Sequence, residues 1–214
     1  MRRYLAECIA TFFLVFAGTG AIIANDVYMG VIGHVGISLS FGLVVMSMIY
    51  GFGEISGAHL NPAVTFGFYV LKRINLKNCV MYILFQCMGA ILASLFLKLV
   101  FPMHVLLGAT FPGVSVWAAF VYELILTFFL MFVILSVATG AKEKGVIAAI
   151  AIGGIVGLEA LFAGPVTGAS MNPARSLGPA VVSGYYMHLW IYLVSCPLGA
   201  VLACKAYVYL NDKG

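Results

Sequence analysis

Apolar residues fall into six long blocks, roughly 5–24, 31–53, 79–101, 115–138, 146–163 and 186–210, parted by short stretches carrying Asn, Asp, Gly, Pro or Lys. A helix crossing the hydrocarbon of a bilayer needs about 20 apolar residues, so the pattern predicts six membrane-spanning helices. Two further apolar stretches, Pro62 to Leu71 and Pro173 to Val182, are too short to span and are predicted as half-helices that dip to the midplane. The first block, Leu5 to Ala24, has full spanning length rather than the short core of a cleaved signal peptide, and is expected to stay as a helix. Six spans and two half-spans fill the 214 residues as a single transmembrane unit over 1–214, leaving no soluble domain.

Composition agrees with lipid as the solvent. Apolar residues make up 64% of the chain and charged ones 8%, well outside the balance of soluble domains. The net charge of +4 comes from basic residues scattered over short loops rather than gathered with aromatics on one face, which argues against nucleic acid as a partner. Topology accounts for them better. With a cytoplasmic N-terminus, Arg2, Arg3, Lys72, Arg73, Lys77, Lys142, Lys144, Lys205 and Lys213, nine of the eleven, lie on the inner side. Lys98 near an outer helix end can snorkel, whereas Arg175, in a connection on the outer side, needs its own explanation. The five cysteines sit in or beside apolar runs without CxxC spacing and read as packing residues; no metal or cofactor is expected.

The two halves repeat. Gly57-Ala58-His59-Leu60-Asn61-Pro62-Ala63 recurs as Gly168-Ala169-Ser170-Met171-Asn172-Pro173-Ala174, identical at five of seven positions, each copy following the second span of its half. Three spans separate equivalent points, so the second half (about 114–214) is inverted relative to the first (about 1–103), and one copy enters from each face.

Proline is favoured at the first helical position and asparagine just before it, so Asn-Pro-Ala is a helix start. A lone copy would read as an ordinary cap. Two copies at opposed half-helices bring two N-termini together, each with a partial positive charge of about half a unit, which repels cations and hydronium. The irregular approaches should line a water-filled path with carbonyls. The amides of Asn61 and Asn172 would donate to one permeant oxygen and interrupt a proton wire.

The duplicated motif resembles that of the aquaporins, or major intrinsic proteins, over essentially the whole chain. Residues Ala163 to Ala180 are most similar to the nodulin-like intrinsic proteins and their bacterial relatives, and Ser56 to Thr65 would also suit a glycerol facilitator. The resemblance implies an all-α fold of six transmembrane helices plus two re-entrant half-helices, a homotetramer in the cell membrane and cytoplasmic termini. It also implies a selectivity ring of Phe41, Ala160, Ala169 and Arg175. Five guanidinium donors suit hydrogen bonding to a polar solute while repelling cations. Strict water channels of the family carry histidine where Ala160 stands, so alanine implies a wider slot open to glycerol-like polyols and neutral metalloid hydroxides. Glycerol facilitators usually carry aspartate after the arginine, and this chain has Ser176.

Glu7 and Glu123 begin equivalent spans inside apolar sequence, and family resemblance makes them braces of the re-entrant loops. His59 is expected either in the inner vestibule or as a satisfied core histidine; His34, His104 and His188 read as interfacial. Glu159, beside Ala160, would line the outer vestibule, pair with Arg175 or face a neighbouring subunit. Glu54, near the inner end of the second span, bears on the cytoplasmic mouth or has no effect. The expected function is passive passage of water and small uncharged solutes with exclusion of protons and ions. The alternatives are a water-selective channel and a coupled secondary transporter. No catalytic residue is proposed, since neither an HExxH cluster nor a GxSxG turn occurs.

Overall fold

A computed structural model describes residues 1–138 and 142–211, with backbone alone over 142–146. Lys213 and the side chains of Lys142 and Lys144, assigned above to the inner side, lie outside the described residues. Eight helices occur among those residues: α1 (Arg2–Val27), α2 (Gly33–Ser56), α3 (Pro62–Val70), α4 (Leu76–Val100), α5 (Val116–Ala138), α6 (Lys142–Thr167), α7 (Pro173–Ser183) and α8 (Leu189–Asn211). Six are long and apolar enough to cross a membrane, and α3 and α7, of 9 and 11 residues, are the half-helices. The chain is a multi-pass membrane protein.

Two arrangements repeat with the halves exchanged: α1 packs on α4 as α5 packs on α8, and α1 on α2 as α5 on α6. The half-helices cross over, α3 lying against α8 and α7 against α4, so neither half closes its core alone. Helices without a hydrophobic drive between them approach through small residues. Gly89 and Gly199 hold equivalent places, and a side chain on either would strike the backbone of Cys8 or Leu124 on the facing helix.

The half-helices start where cap chemistry places them. Asn61 Oδ1 accepts from the Ala63 N–H at 2.9 Å, and Asn172 Oδ1 from the Ala174 N–H at 3.0 Å, with proline at the first helical position of each. Both approaches are irregular in the same way. Gly57, Ala58 and Leu60 take φ of 87°, 47° and 53°, and Gly168, Ala169 and Met171 take 86°, 42° and 53°. Left-handed backbone at four non-glycine residues is strained and persists only where surroundings hold it.

Those surroundings are two buried carboxylates. Glu7, on α1, accepts from Ser56 Oγ (2.6 Å), the N–H groups of His59 (3.0 Å) and Leu60 (2.8 Å), and Gln86 Nε2 (2.7 Å). Glu123, on α5, accepts from Thr167 Oγ1 (2.7 Å) and the N–H groups of Ser170 and Met171 (both 2.9 Å), with Cys196 Sγ at 3.8 Å. Tyr82 and Tyr192 complete the match, donating to the carbonyls of Ser56 and Thr167 at 2.8 and 2.6 Å. Hydrogen bonds to a charged acceptor are worth roughly twice neutral ones, so each glutamate fixes one strained loop.

Candidate functional site

The loops meet at the centre of the fold. Asn61 Nδ2 donates to the Met171 carbonyl at 2.7 Å and Asn172 Nδ2 to the Leu60 carbonyl at 2.8 Å. These bonds add to the sequence expectation. Each amide commits one of its two N–H groups to the opposite loop, so one proton per asparagine is left for a solute, and the carbonyls of Leu60 and Met171 are already engaged.

Two cavities lie end to end along this axis. One, about 260 Å³ and called inner after the predicted topology, is bordered by both asparagines, by His59 and by apolar residues such as Val45, Ile152 and Val156. The outer one, about 240 Å³, is bordered by Ala160, Gly164, His34 and Phe111. Phe41, Ala169 and Arg175 border both and so mark the boundary between them. No acidic side chain borders either cavity among the described residues.

Arg175, three residues into α7, is 2% exposed and faces the Phe41 ring with 5.0 Å between guanidinium carbon and ring centroid. Its Nη1 donates to the Gly108 carbonyl at 2.8 Å, and its Nε finds no partner among the described residues. Phe41 in turn lies where a side chain at Gly18 would have to go, so the ring is seated by a glycine on α1. Ala160 stands on the outer side of this boundary, and Ala169 lies on it.

The remaining expectations divide. His59 borders the inner cavity, with Nδ1 3.1 Å from Thr65 Oγ1 and its ring stacked 4.7 Å from Phe68. Glu54 is exposed at the end of α2 and borders neither cavity. Glu159 departs from all three of its expected places. It is fully buried, borders neither cavity, and has both carboxyl oxygens without a hydrogen-bond partner among the described residues. Nor does it pair with Arg175. The cause is helical geometry, since adjacent residues diverge by about 100° around a helix and Ala160 takes the cavity-facing position. Being buried within one chain, it does not face a neighbouring subunit either.

Three residues escaped the sequence reading. Gly108 and Thr110, in the connection between α4 and α5, reach α7 across the fold: the first through Arg175, the second by donating to Ser176 Oγ at 2.8 Å. Ser176 is also 2.6 Å from Ser170 Oγ, which places it in the loop's packing rather than on a cavity wall. His34, read as interfacial, is exposed in the first turn of α2 and also borders the outer cavity. Only its place two residues before Gly36 in the first turn of a span hinted at the outer mouth.

The sequence model described as Major intrinsic protein matches residues 1–209. The chain belongs to the major intrinsic protein family. It is 46% identical to Aquaporin NIP1-4 of Oryza sativa subsp. japonica over 100% of this chain and 78% of that protein. It is 45% identical to Nodulin-26 of Glycine max over 100% of this chain and 80% of that protein. Its fold matches the X-ray structure of the aquaglyceroporin from Plasmodium falciparum with a TM-score of 0.87 and 29% identity, covering 96% of this chain and 94% of that one. This member of the family is therefore a membrane channel for water and small neutral solutes, and not an enzyme.

Proposed function

We propose that the pore passes water together with uncharged solutes of glycerol size, polyols and neutral metalloid hydroxides, while excluding protons and ions. The observation that carries this reading is the boundary between the two cavities. One aromatic face, Phe41, stands against the Arg175 guanidinium, with Ala169 beside them and Ala160 on the outer side, so carbon meets one wall and hydroxyls the other. A histidine in place of Ala160 would fill that slot. The aquaglyceroporin named above, with its matching fold, supports the same solute class.

Exclusion of charge follows from three fixed features. Among the described residues Arg175 has no acidic partner and no acid borders the path, and the N-termini of α3 and α7 point their partial positive charges at the midplane. A water passing Asn61 and Asn172 accepts their free amide protons and is turned so that it cannot relay a proton onward. In this reading Glu7 and Glu123 are structural supports, and His59 belongs to the inner vestibule. The working unit is a homotetramer in the cell membrane with both termini cytoplasmic, each chain forming one channel domain of two inverted repeats.

Stopped-flow light scattering on proteoliposomes tests this. Vesicles shrunk in glycerol should re-swell at a rate linear in glycerol concentration. Uptake that saturates, or that requires an ion gradient, would overturn the channel mechanism, and shrinkage without re-swelling would leave a water-only pore.

A further inference from the structure

We propose that His34 is a specificity-determining residue, which holds the Ala160 side of the slot by capping a carbonyl that Pro165 leaves free. The proposal rests on the solute class inferred above and adds a residue to the site.

Pro165 lies inside α6. In an α-helix the N–H of residue i donates to the carbonyl of i−4, and proline lacks that N–H while its ring pushes the same carbonyl outward. The carbonyl released by Pro165 is that of Leu161, the residue after Ala160. His34 Nε2 stands 2.6 Å from this oxygen. A carbonyl only accepts, so Nε2 is the donor and α2 replaces the missing helical bond of α6.

The imidazole has a prepared seat. Gly164 lies one turn beyond Ala160, and a Cβ there would come within 2.8 Å of His34 Cε1, too close for any side chain to coexist with the ring. From the other side the first turn of α2 is anchored to α1, because the Gly33 N–H donates to Asn25 Oδ1 at 2.8 Å; within α2, Ser38 Oγ donates to the His34 carbonyl at 2.9 Å. Asn25, Gly33 and His34 thus form a strut from the end of α1 to the turn of α6 that precedes Pro165. His34, Ala160, Gly164 and Pro165 all border the outer cavity, so the strut ends on the wall of the solute path.

Without the strut the turn of α6 that carries Ala160 and Leu161 loses its fastening to α2, whereas the end of the helix stays held at Thr167 by Glu123 and Tyr192. The slot then widens on the Ala160 side, while Phe41 on α2, Arg175 on α7 and Ala169, bonded to the held Thr167, stay in place. Larger polyols should gain more than glycerol, and glycerol more than water.

The test compares erythritol, glycerol and water permeabilities in proteoliposomes for the wild type, His34→Ala, His34→Gln and Gly164→Ala. The erythritol-to-glycerol ratio should rise by about threefold or more in His34→Ala, as expected when one hydrogen bond shapes the barrier. Gly164→Ala, whose methyl displaces the ring, should do the same. His34→Gln, which keeps an N–H donor, should restore the wild-type ratio. An unchanged ratio in His34→Ala, or fluxes that all fall together, would overturn the proposal, as would a His34→Gln protein behaving like His34→Ala. A wild type closed to glycerol would instead overturn the solute class. In that case nitrogen NMR of labelled histidine in bilayers still decides on the strut: an Nε2–H signal hydrogen-bonded in the wild type and displaced in Gly164→Ala supports it, and a signal unmoved by Gly164→Ala contradicts it.

Discussion

Asn61 Nδ2 donates to the carbonyl of Met171 at 2.7 Å, across a sequence separation of 110 residues, and Asn172 returns the bond to Leu60. The two inverted halves are therefore fastened to each other at the point where their half-helices begin. Each asparagine caps its own helix and locks the other loop, and in the proposed function it also offers one proton to the path.

Asn61→Ala removes all of these together. Loss of a cap costs about 1 kcal/mol, and leaving the buried Met171 carbonyl unpaired adds about 1–3 kcal/mol. Thermal unfolding in detergent should show a lowered transition, and water flux should fall as the loops separate. An unchanged transition would mean that the halves are held elsewhere.

Ala160→His should suppress glycerol entry by about tenfold or more while water flux stays within about twofold, because a ring at this wall fills the slot at the cost of the larger solute. Paired swelling curves in glycerol and in an impermeant osmolyte measure it. Equal loss of both fluxes would place Ala160 outside the narrow passage.

Glu159 presents the opposite case, a buried carboxyl with no hydrogen-bond partner among the described residues. Burying an unpaired polar group costs free energy that an apolar side chain of similar length does not. Glu159→Met should therefore leave glycerol flux unchanged and leave thermal stability equal or higher by up to about 2 kcal/mol. A clear drop in the unfolding temperature would reveal a partner for this carboxyl.

These cases show what the sequence could and could not disclose. The spans and half-helices were legible because hydrophobic length and the Asn-Pro cap are local properties, and the inverted repeat followed from counting spans between the copies. Glu7 and Glu123 stood out because a carboxylate in apolar sequence demands donors, and here each finds at least three. Gly108 was illegible because its backbone carbonyl, not its side chain, meets Arg175, and a loop carbonyl carries no sequence signal. Glu159 was placed by adjacency to Ala160, whereas one step along a helix turns a side chain onto a different face. His34 required knowing which helix passes Pro165, a tertiary fact.

The central claim is that one slot passes neutral solutes and refuses charge. The most direct measurement loads proteoliposomes with a pH-sensitive dye and follows, in the same vesicles, re-swelling in glycerol and collapse of an imposed pH gradient with a potassium ionophore present. The account predicts glycerol re-swelling well above that of empty liposomes, with a pH gradient that decays no faster than theirs. Proton leak that rises with protein content alongside the glycerol flux would contradict it.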